Sequence, residues 1–300
     1  PAGKNPNDVA VADVNHDGHL DLVFANHDTS FLTLLLGDGH GSFAPAPSSP
    51  IAVHSHPHPH GVAAADFDGD GHIDLATDSW GEDEVTVLFG DGKGGFTSPG
   101  ATFAVGRHPY QRLRAADLLG DGRAEIVTTN LGGASVTVLV PDGKRGFREA
   151  AGSPFPAGGS PFAVAIGDVN GDRKLDLVVG NWGGHPEDTS FDAVNILLGD
   201  GKGRFSPAPG SPFRAGHAPA RVAIGDLDGD GIADVAVANY TGDDVTVYFG
   251  GKNGLRPGPT LRVGRRPQGI AIADLNGDGR GDIVTADSED NAITILMSRQ

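Results

Sequence analysis

An acidic nine-residue loop of the pattern D-x-[D/N]-x-D-G-x-x-D recurs six times along the chain, in intact or degenerate form. The copies begin at Asp13, Asp66, Asp117, Asp168, Asp226 and Asp274. Successive copies start 48 to 58 residues apart, and a period of about fifty residues matches one four-stranded propeller blade. This regular spacing predicts a repeat architecture in which neighbouring units share their cores, rather than two unrelated domains.

The residues around each loop have the pattern of β-strands. A short apolar run such as Val9 to Ala12 precedes the loop, and a second such as Leu22 to Ala25 follows it. A β-branched stretch such as Val85 to Phe89 then ends in a glycine-rich hairpin. The last repeat ends after the run Ala292 to Met297, without a hairpin or an outer strand.

We therefore predict an all-β fold, a six-bladed β-propeller in one domain over residues 1–300. The sixth blade should have an incomplete outer strand. The predicted blades are 1–57, 58–108, 109–160, 161–218, 219–266 and 267–300.

Each loop has the donor groups of a site for a hard cation. Oxygen side chains stand at loop positions 1, 3, 5 and 9, position 7 offers its backbone carbonyl, and glycine at position 6 permits the turn. Calcium fits such a flexible, oxygen-rich donor set better than magnesium. The predicted ligands are Asp13, Asn15, Asp17, His19 and Asp21; Asp66, Asp68, Asp70, His72 and Asp74; Asp168, Asn170, Asp172, Lys174 and Asp176; Asp226, Asp228, Asp230, Ile232 and Asp234; and Asp274, Asn276, Asp278, Arg280 and Asp282.

Two loops depart from the pattern. The loop at Asp168 has Arg173 in place of glycine, which predicts weaker binding. The loop at Asp117 is degenerate, with Leu119 at a ligand position and Glu125 at the last position. We therefore expect about five calcium ions.

The composition of the chain limits the classes of partner that it can bind. The chain has 39 acidic and 22 basic residues, a net charge of -17, and the acidic residues concentrate in the loops. This balance argues against nucleic acid and anionic membranes as partners. No apolar run approaches the 18 residues of a membrane span, so we expect no membrane insertion. There are no cysteines, so a disulfide framework is excluded.

The loops and their period resemble the FG-GAP or VCBS class of repeats, the calcium-loop propellers that are similar to the head of integrin α chains. The resemblance covers nearly the whole chain. It implies a secreted or cell-surface protein, because extracellular modules of this kind bind calcium with dissociation constants of about 0.1–1 mM. Members of the class include adhesion modules, lectins and a few polysaccharide lyases, so the class alone does not fix the activity.

A ligand site is predicted on the face opposite the acidic loops. Amides and aromatic residues follow the second strand of the repeats, and further polar residues precede the first strand. Such groups bind sugars by stacking and hydrogen bonding. The alternative is that the asparagines satisfy turn backbones and the aromatic residues pack between blades. The candidate residues are Asn26, His27, Trp80, Asn130, Asn181, Trp182, Asn239, Tyr240, His60, Arg112 and Arg221.

Two local features each have two interpretations. The segment His54 to His60 has a histidine at every second position, which suggests either a transition-metal site or an exposed proline-rich loop; the second is favoured. Arg114 stands where every other repeat has alanine, and it would hold a ligand carboxylate or pair with Glu125.

The favoured function is a non-enzymatic, lectin-like recognition module for carbohydrate. One alternative is a polysaccharide lyase that uses His60 or His108 with Arg112 or Tyr110. Another is an integrin-like scaffold for an extracellular protein ligand. No esterase, zinc-protease or phosphate-loop motif supports an enzyme.

Overall fold

A computed structural model describes residues 2–54, 58–79, 81–143, 145–182 and 192–298. The described chain is built of short β-strands with one 3₁₀ turn, Leu131–Gly133. It divides into two compact units, one of residues up to Pro154 and one from Phe155 onward. No helix among the described residues is long and apolar enough to cross a membrane.

The first unit contains three antiparallel sheets. Their strands are β1 Pro6–Ala12, β2 Asp21–Asn26, β3 Phe31–Gly37, β4 Phe43–Pro45 and β5 Ile51–Ala52; β6 Val62–Ala65, β7 Asp74–Ser79, β8 Glu84–Leu88 and β9 Ala101–Ala104; and β10 Pro109–Ala116, β11 Glu125–Asn130, β12 Ser135–Pro141 and β13 Phe147–Glu149.

The second unit begins with the short strand β14 Phe155–Pro156 and contains three further sheets. The strands of these sheets are β15 Pro161–Gly167, β16 Asp176–Asn181, β17 Ala193–Gly199, β18 Phe205–Pro207 and β19 Phe213–Arg214; β20 Pro219–Gly225, β21 Asp234–Asn239, β22 Asp244–Phe249 and β23 Arg256–Arg262; and β24 Pro267–Ala273, β25 Asp282–Asp287 and β26 Ala292–Leu296.

The main strands of each sheet form a meander in which consecutive strands pair in sequence order, as in β1-β2-β3-β4 and β20-β21-β22-β23. The short strands β5 and β19 instead pair with β3 and β17. Within the described residues, the last sheet has three strands, β24-β25-β26. These six sheets are the blades of a six-bladed β-propeller, and the incomplete last blade agrees with the sequence prediction.

The first strand of most blades begins at a proline, three residues before the predicted apolar run. The register shifts by one residue just after that proline, for example between Pro6 and Asp8 in β1. The same one-residue shift recurs in β15, β20 and β24, and in β10 the register shifts by two residues between Pro109 and Leu113. A bulge of this kind re-aims side chains at the strand entrance, and this is where the predicted polar residues lie.

Apolar side chains fill the space between neighbouring sheets. One cluster joins Val23 and Leu34 of the first blade to Val62 and Leu75 of the second. Comparable clusters join blades two and three, four and five, and five and six. Both faces of a central strand such as β16 are therefore buried, which explains its continuous Asp-Leu-Val-Val-Gly-Asn run without polar alternation.

Candidate functional site

All six acidic loops adopt one conformation, which the first aspartate sets. Its carboxylate accepts the N–H of the sixth loop residue at 2.7–2.9 Å in every copy. The fifth residue likewise accepts the N–H of the seventh at 2.8–3.1 Å. The loop at Asp117 keeps this shape despite Leu119, and Arg173 takes the glycine conformation with φ 68°. Loop shape therefore does not require a complete ligand set.

The ninth loop residue is a buried tie between the loop and the third strand. In five blades this aspartate is fully buried, and one oxygen accepts the N–H of the second loop residue at 2.8–3.1 Å. The other oxygen accepts an N–H at or just after the end of the third strand at 2.8–2.9 Å. These donors are Gly37, Gly90, Gly199, Gly250 and Ser298. Direct metal ligation by the ninth residue remains a prediction.

The glycines that donate to this carboxylate are required by close packing. A Cβ on Gly37 would clash with the carbonyl oxygen of Leu20, which stands just before the buried aspartate. The same clash would occur at Gly90, Gly199 and Gly250 with the carbonyls of Ile73, Leu175 and Ala233. The first glycine of the hairpin motif thus lets the loop and the third strand approach closely.

The third blade replaces both halves of this tie. Glu125 stands in place of aspartate, and Pro141 stands in place of glycine. Because proline has no N–H, only the loop side is bonded: Glu125 Oε2 accepts from Leu118 at 2.7 Å and from Leu119 at 3.2 Å. The buried Oε1 has no hydrogen-bond partner among the described residues. The two substitutions are therefore coupled: Pro141 removes the strand donor, and the carboxylate of Glu125 is bonded only to the loop.

Burial raises the pKa of four of these carboxyl groups, those of Asp74, Asp176, Asp234 and Glu125, while their N–H donors act in the opposite direction. The pKa values of Asp74, Asp176 and Asp234 rise to about 6. The pKa of Glu125 rises to about 7, again mainly through burial. Nearby loop carboxylates raise all four pKa values further, so an adjacent cation would favour the charged forms.

Two loops bring three carboxylates close together. Ligand oxygens of Asp66, Asp68 and Asp70 all lie within 4.8 Å of one another, and the set Asp226, Asp228 and Asp230 does the same. In the loops at Asp13, Asp168 and Asp274, asparagine supplies the third-position oxygen instead. The donor set is all oxygen, which fits a hard cation such as Ca²⁺.

Arginines lie beside these carboxylates and partly balance their charge. Arg145 Nε lies 2.6 Å from Asp68 Oδ2, and its NH2 group lies 3.2 Å from Asp70. Arg256 NH2 lies 2.5 Å from Asp228 Oδ2. A cation entering these loops would therefore meet a carboxylate already shared with a guanidinium.

The predicted ring of asparagines is buried and closes turns within each blade. Asn26, Asn130 and Asn239 are fully buried, and each donates from Nδ2 to the hydroxyl of a threonine seven residues on, at 2.9 Å. Asn181 donates to Asn195 Oδ1 at 2.8 Å. This geometry corresponds to the turn-forming alternative, since none of these four side chains is exposed to a ligand.

Aromatic rings converge at the strand entrances of the first unit. The ring of His27 lies 4.6 Å from those of both His58 and His60, and His60 lies 4.4 Å from Tyr110. His60 is fully buried and its pKa falls to about 3, chiefly through burial. The expectation of an exposed loop is therefore wrong for His60, which is also too buried to act as a catalytic base on a polymer. Trp80 and His56 lie outside the described residues.

Asp8 organises the cations of the same region. Arg112 NH1 lies 2.5 Å from Asp8 Oδ1, and Arg114 NH1 lies 3.2 Å from Oδ2. Both Arg112 and Asp8 have side chains less than 10% exposed. Arg114 thus pairs with Asp8 and not with Glu125, so that sequence alternative is wrong.

Asp78 lies beside the candidate residues of the first unit and was not predicted from the sequence. Its Oδ1 accepts the N–H groups of His60 and Gly61 at 2.9 and 2.7 Å, and burial raises its pKa to about 7. The signal was present in the repeat alignment, because this column otherwise holds small or uncharged residues: Ala25, Thr129, Gly180, Ala238 and Ala286.

The second unit gathers a separate aromatic group. The Trp182 ring lies 4.3 Å from Phe162, edge to face, and 5.7 Å from Tyr240. Arg221 lies over Phe162 at 5.7 Å, and Arg266 lies over Tyr240 at 5.5 Å. Phe162 is buried, whereas Trp182 and Tyr240 are partly exposed. The sequence-predicted Trp182, Tyr240 and Arg221 are therefore brought together.

Six antiparallel meanders, each with an acidic nine-residue loop after its first strand, define a repeat propeller of the acidic-loop class. The family model for the FG-GAP-like repeat matches residues 13–77, 117–179, 187–237 and 226–285. The chain belongs to this FG-GAP-like repeat family. No curated protein matches the chain.

Solved structures share the fold at low identity. A lectin from Agrocybe aegerita that recognises non-reducing terminal N-acetylglucosamine is 19% identical, with a TM-score of 0.62, over 97% of this chain and 80% of the lectin. BBS1N, solved in complex with ARL6DN, is 14% identical with a TM-score of 0.60, over 94% and 76%. A protein from Lactobacillus plantarum is 14% identical with a TM-score of 0.59, over 98% and 84%. At these identities the likeness shows the fold alone.

Proposed function

We propose that this protein is a secreted recognition module that binds calcium in its acidic loops and a carbohydrate through Trp182 and Tyr240. The observation that carries the carbohydrate assignment is the aromatic group of the second unit. Two partly exposed rings lie 5.7 Å apart, and a guanidinium lies over one side of the Tyr240 ring. Pyranose rings stack on the faces of aromatic rings while their hydroxyl groups accept hydrogen bonds from arginine.

The support beneath these rings favours a preformed surface. Trp182 packs edge to face on buried Phe162, and the Trp182 N–H donates to the Ser160 carbonyl at 2.9 Å. The Tyr240 N–H donates to the Ala218 carbonyl at 2.8 Å. Because these backbone N–H bonds anchor both residues and Phe162 supports the Trp182 ring, less conformational entropy is lost when a ligand binds.

The fold comparison is consistent with this assignment. One structural neighbour is a lectin for a terminal N-acetylglucosamine, whereas another is solved in complex with a protein partner. The aromatic group favours the sugar ligand, because stacking rings in an otherwise polar surface are typical of carbohydrate sites.

Calcium is proposed for the loops on the chemistry of the donors. Three carboxylates converge within 4.8 Å in two loops, and such crowding opposes folding unless a cation neutralises it. Sites with dissociation constants of about 0.1–1 mM fill outside the cell, which is why we propose a secreted or cell-surface location.

A glycan array in 2–10 mM calcium, on the order of the concentration that fills such sites, tests the proposal. Any glycan bound by the wild type is then measured by calorimetry against Trp182→Ala and Tyr240→Ala. Losing a stacking ring should weaken binding about tenfold, equivalent to about 1.4 kcal/mol.

Phe43→Ala is the matched control, because Phe43 is also an exposed aromatic residue but lies at the hairpin end of its blade. It should leave glycan affinity unchanged. A glycan whose affinity is equal in the wild type and both aromatic variants would refute the assigned surface. A folded, calcium-loaded protein that binds no glycan on the array would refute the carbohydrate assignment.

A further inference from the structure

A histidine–aspartate cluster lies in the first unit, apart from the acidic loops. It consists of His27 and Asp28, which follow β2, and His58, which precedes β6. One potential ligand atom from each of the three residues lies within 4.8 Å of the other two. All three side chains are at least partly exposed, so an ion can reach them from solvent.

The hydrogen bonds show which nitrogen of each imidazole is available to an ion. His58 Nδ1 lies 3.0 Å from the carbonyl oxygen of His27, which can only accept, so Nδ1 carries the proton and Nε2 of the neutral ring keeps a lone pair. His27 Nδ1 lies 2.7 Å from Asp28 Oδ1, and a metal ion would replace the proton between these two atoms and bind both. A metal-bound histidine commonly has its other nitrogen fixed by a carboxylate or carbonyl in this way.

The spacing of the rings fits one shared ion. Two imidazoles bound at about 2.1 Å in a tetrahedral site have ring centres about 5 Å apart. The centres of His27 and His58 are 4.6 Å apart, with the rings tilted by 46°. His58 also has φ 144°, an uncommon conformation for a residue with a side chain.

Buried groups hold the cluster in place from behind. The buried His60 ring contacts His27 edge to face at 4.6 Å and is itself backed by Tyr110 at 4.4 Å. The His27 N–H donates to the Asn5 carbonyl at 3.0 Å. The ligands therefore stand on a packed surface, which reduces the entropy lost when the ion binds.

We propose that His27, His58 and Asp28 form a binding site for a divalent transition metal, with Zn²⁺ as the best-fitting ion. Two imidazoles and a carboxylate suit zinc, copper or nickel, and water would complete a four-coordinate zinc. The site differs in donor chemistry from the oxygen-only loops, so calcium does not compete for it effectively.

Calorimetric titration of the purified full chain with Zn²⁺ in 10 mM calcium tests this site, because calcium at about that level keeps the acidic loops filled. We expect one saturable zinc site per chain. His27→Ala or His58→Ala should weaken it by about 100-fold, and Asp28→Asn by about 10- to 100-fold. With Co²⁺ as a spectroscopic probe, the wild type should show the visible absorption of a four-coordinate ion, and the histidine variants should not.

Two control variants separate this site from general histidine binding. His54→Ala removes a neighbouring exposed histidine that pairs with Glu84 at 3.5 Å instead. His217→Ala removes another histidine–aspartate pair, with Nδ1 2.7 Å from Asp192, which belongs to no three-residue cluster among the described residues. Both should bind zinc like the wild type. Equal zinc affinity in the wild type and in His27→Ala or His58→Ala, with circular dichroism showing all chains folded, would overturn the proposal.

Discussion

The mismatched tie of the third blade gives a sharp test of how the acidic loops are anchored. In the other blades one carboxylate bridges two backbone N–H groups, whereas Glu125 lacks the second donor because Pro141 has none. Restoring both halves with Glu125→Asp and Pro141→Gly should recreate the bridge seen at Asp234 and Gly250, where the second bond is 2.8 Å. Either change alone should not.

The expected magnitude follows from the bond that is added. A buried hydrogen bond to a charged acceptor contributes about 1.5–3 kcal/mol. Each single substitution should destabilise by about 1 kcal/mol, through a lost methylene at Glu125 and greater chain entropy at Pro141. The free energy of unfolding of the double variant should exceed the value expected from adding the two single effects by about 1.5–3 kcal/mol.

The assay is urea unfolding of the four proteins in saturating calcium at pH 8, where Glu125 is mostly ionised. Combining Glu125→Asp with Pro45→Gly, a proline in a different blade, is the control and should be additive. If the effects of Glu125→Asp and Pro141→Gly also add within about 0.5 kcal/mol, the two residues do not form the expected hydrogen bond and the explanation is refuted.

Three further predictions concern loop strain, buried charge and calcium. Arg173→Gly should stabilise the protein by about 0.5–1 kcal/mol, because φ 68° strains a side-chain-bearing residue; Arg173→Ala is the control, and an equal gain from alanine would show that strain is not the cause. Asp78 binds a proton more tightly in the folded state, with a pKa of about 7, so its contribution to the free energy of unfolding falls as pH rises from about 4 to 7. The wild type should lose about 3 kcal/mol relative to Asp78→Asn between about pH 5 and 8; parallel urea-unfolding profiles would contradict this. Chelation of calcium should lower the melting temperature, since 10 mM calcium at a dissociation constant of about 0.3 mM stabilises the folded protein by about 2 kcal/mol per site. Asp230→Asn should remove one ion from the calorimetric stoichiometry. If neither chelation nor Asp230→Asn changes the melting temperature, calcium has no structural role.

The sequence repeat made the fold predictable, but it did not show whether a polar side chain faces a ligand or its own turn. Period and strand pattern located all six blades and the short last one, because both are properties of local sequence. The asparagines after the second strands were harder to interpret. An amide at a strand end serves a ligand or its own turn, and only the contact of Asn26 with Thr33 separates the two uses.

Contacts between residues of distant repeats could not be predicted from the sequence either. Asp8 and Arg112 are 104 positions apart, and their side chains pair across the first unit. No local pattern in either repeat predicts that contact. The Asp78 carboxylate, which holds Gly61 and His60, was visible only as an odd residue in its repeat column.

The division of labour within each acidic loop has a consequence for how such proteins diversify. The inner carboxylate ties the loop to the third strand, while the outer oxygens are the donors of the proposed calcium site, and the loop at Asp117 keeps its shape with an incomplete outer set. Selection can therefore change or remove the outer donors blade by blade without redesigning the scaffold. Under the proposed calcium binding, a single chain would in this way carry a graded series of calcium affinities, set by a few surface substitutions.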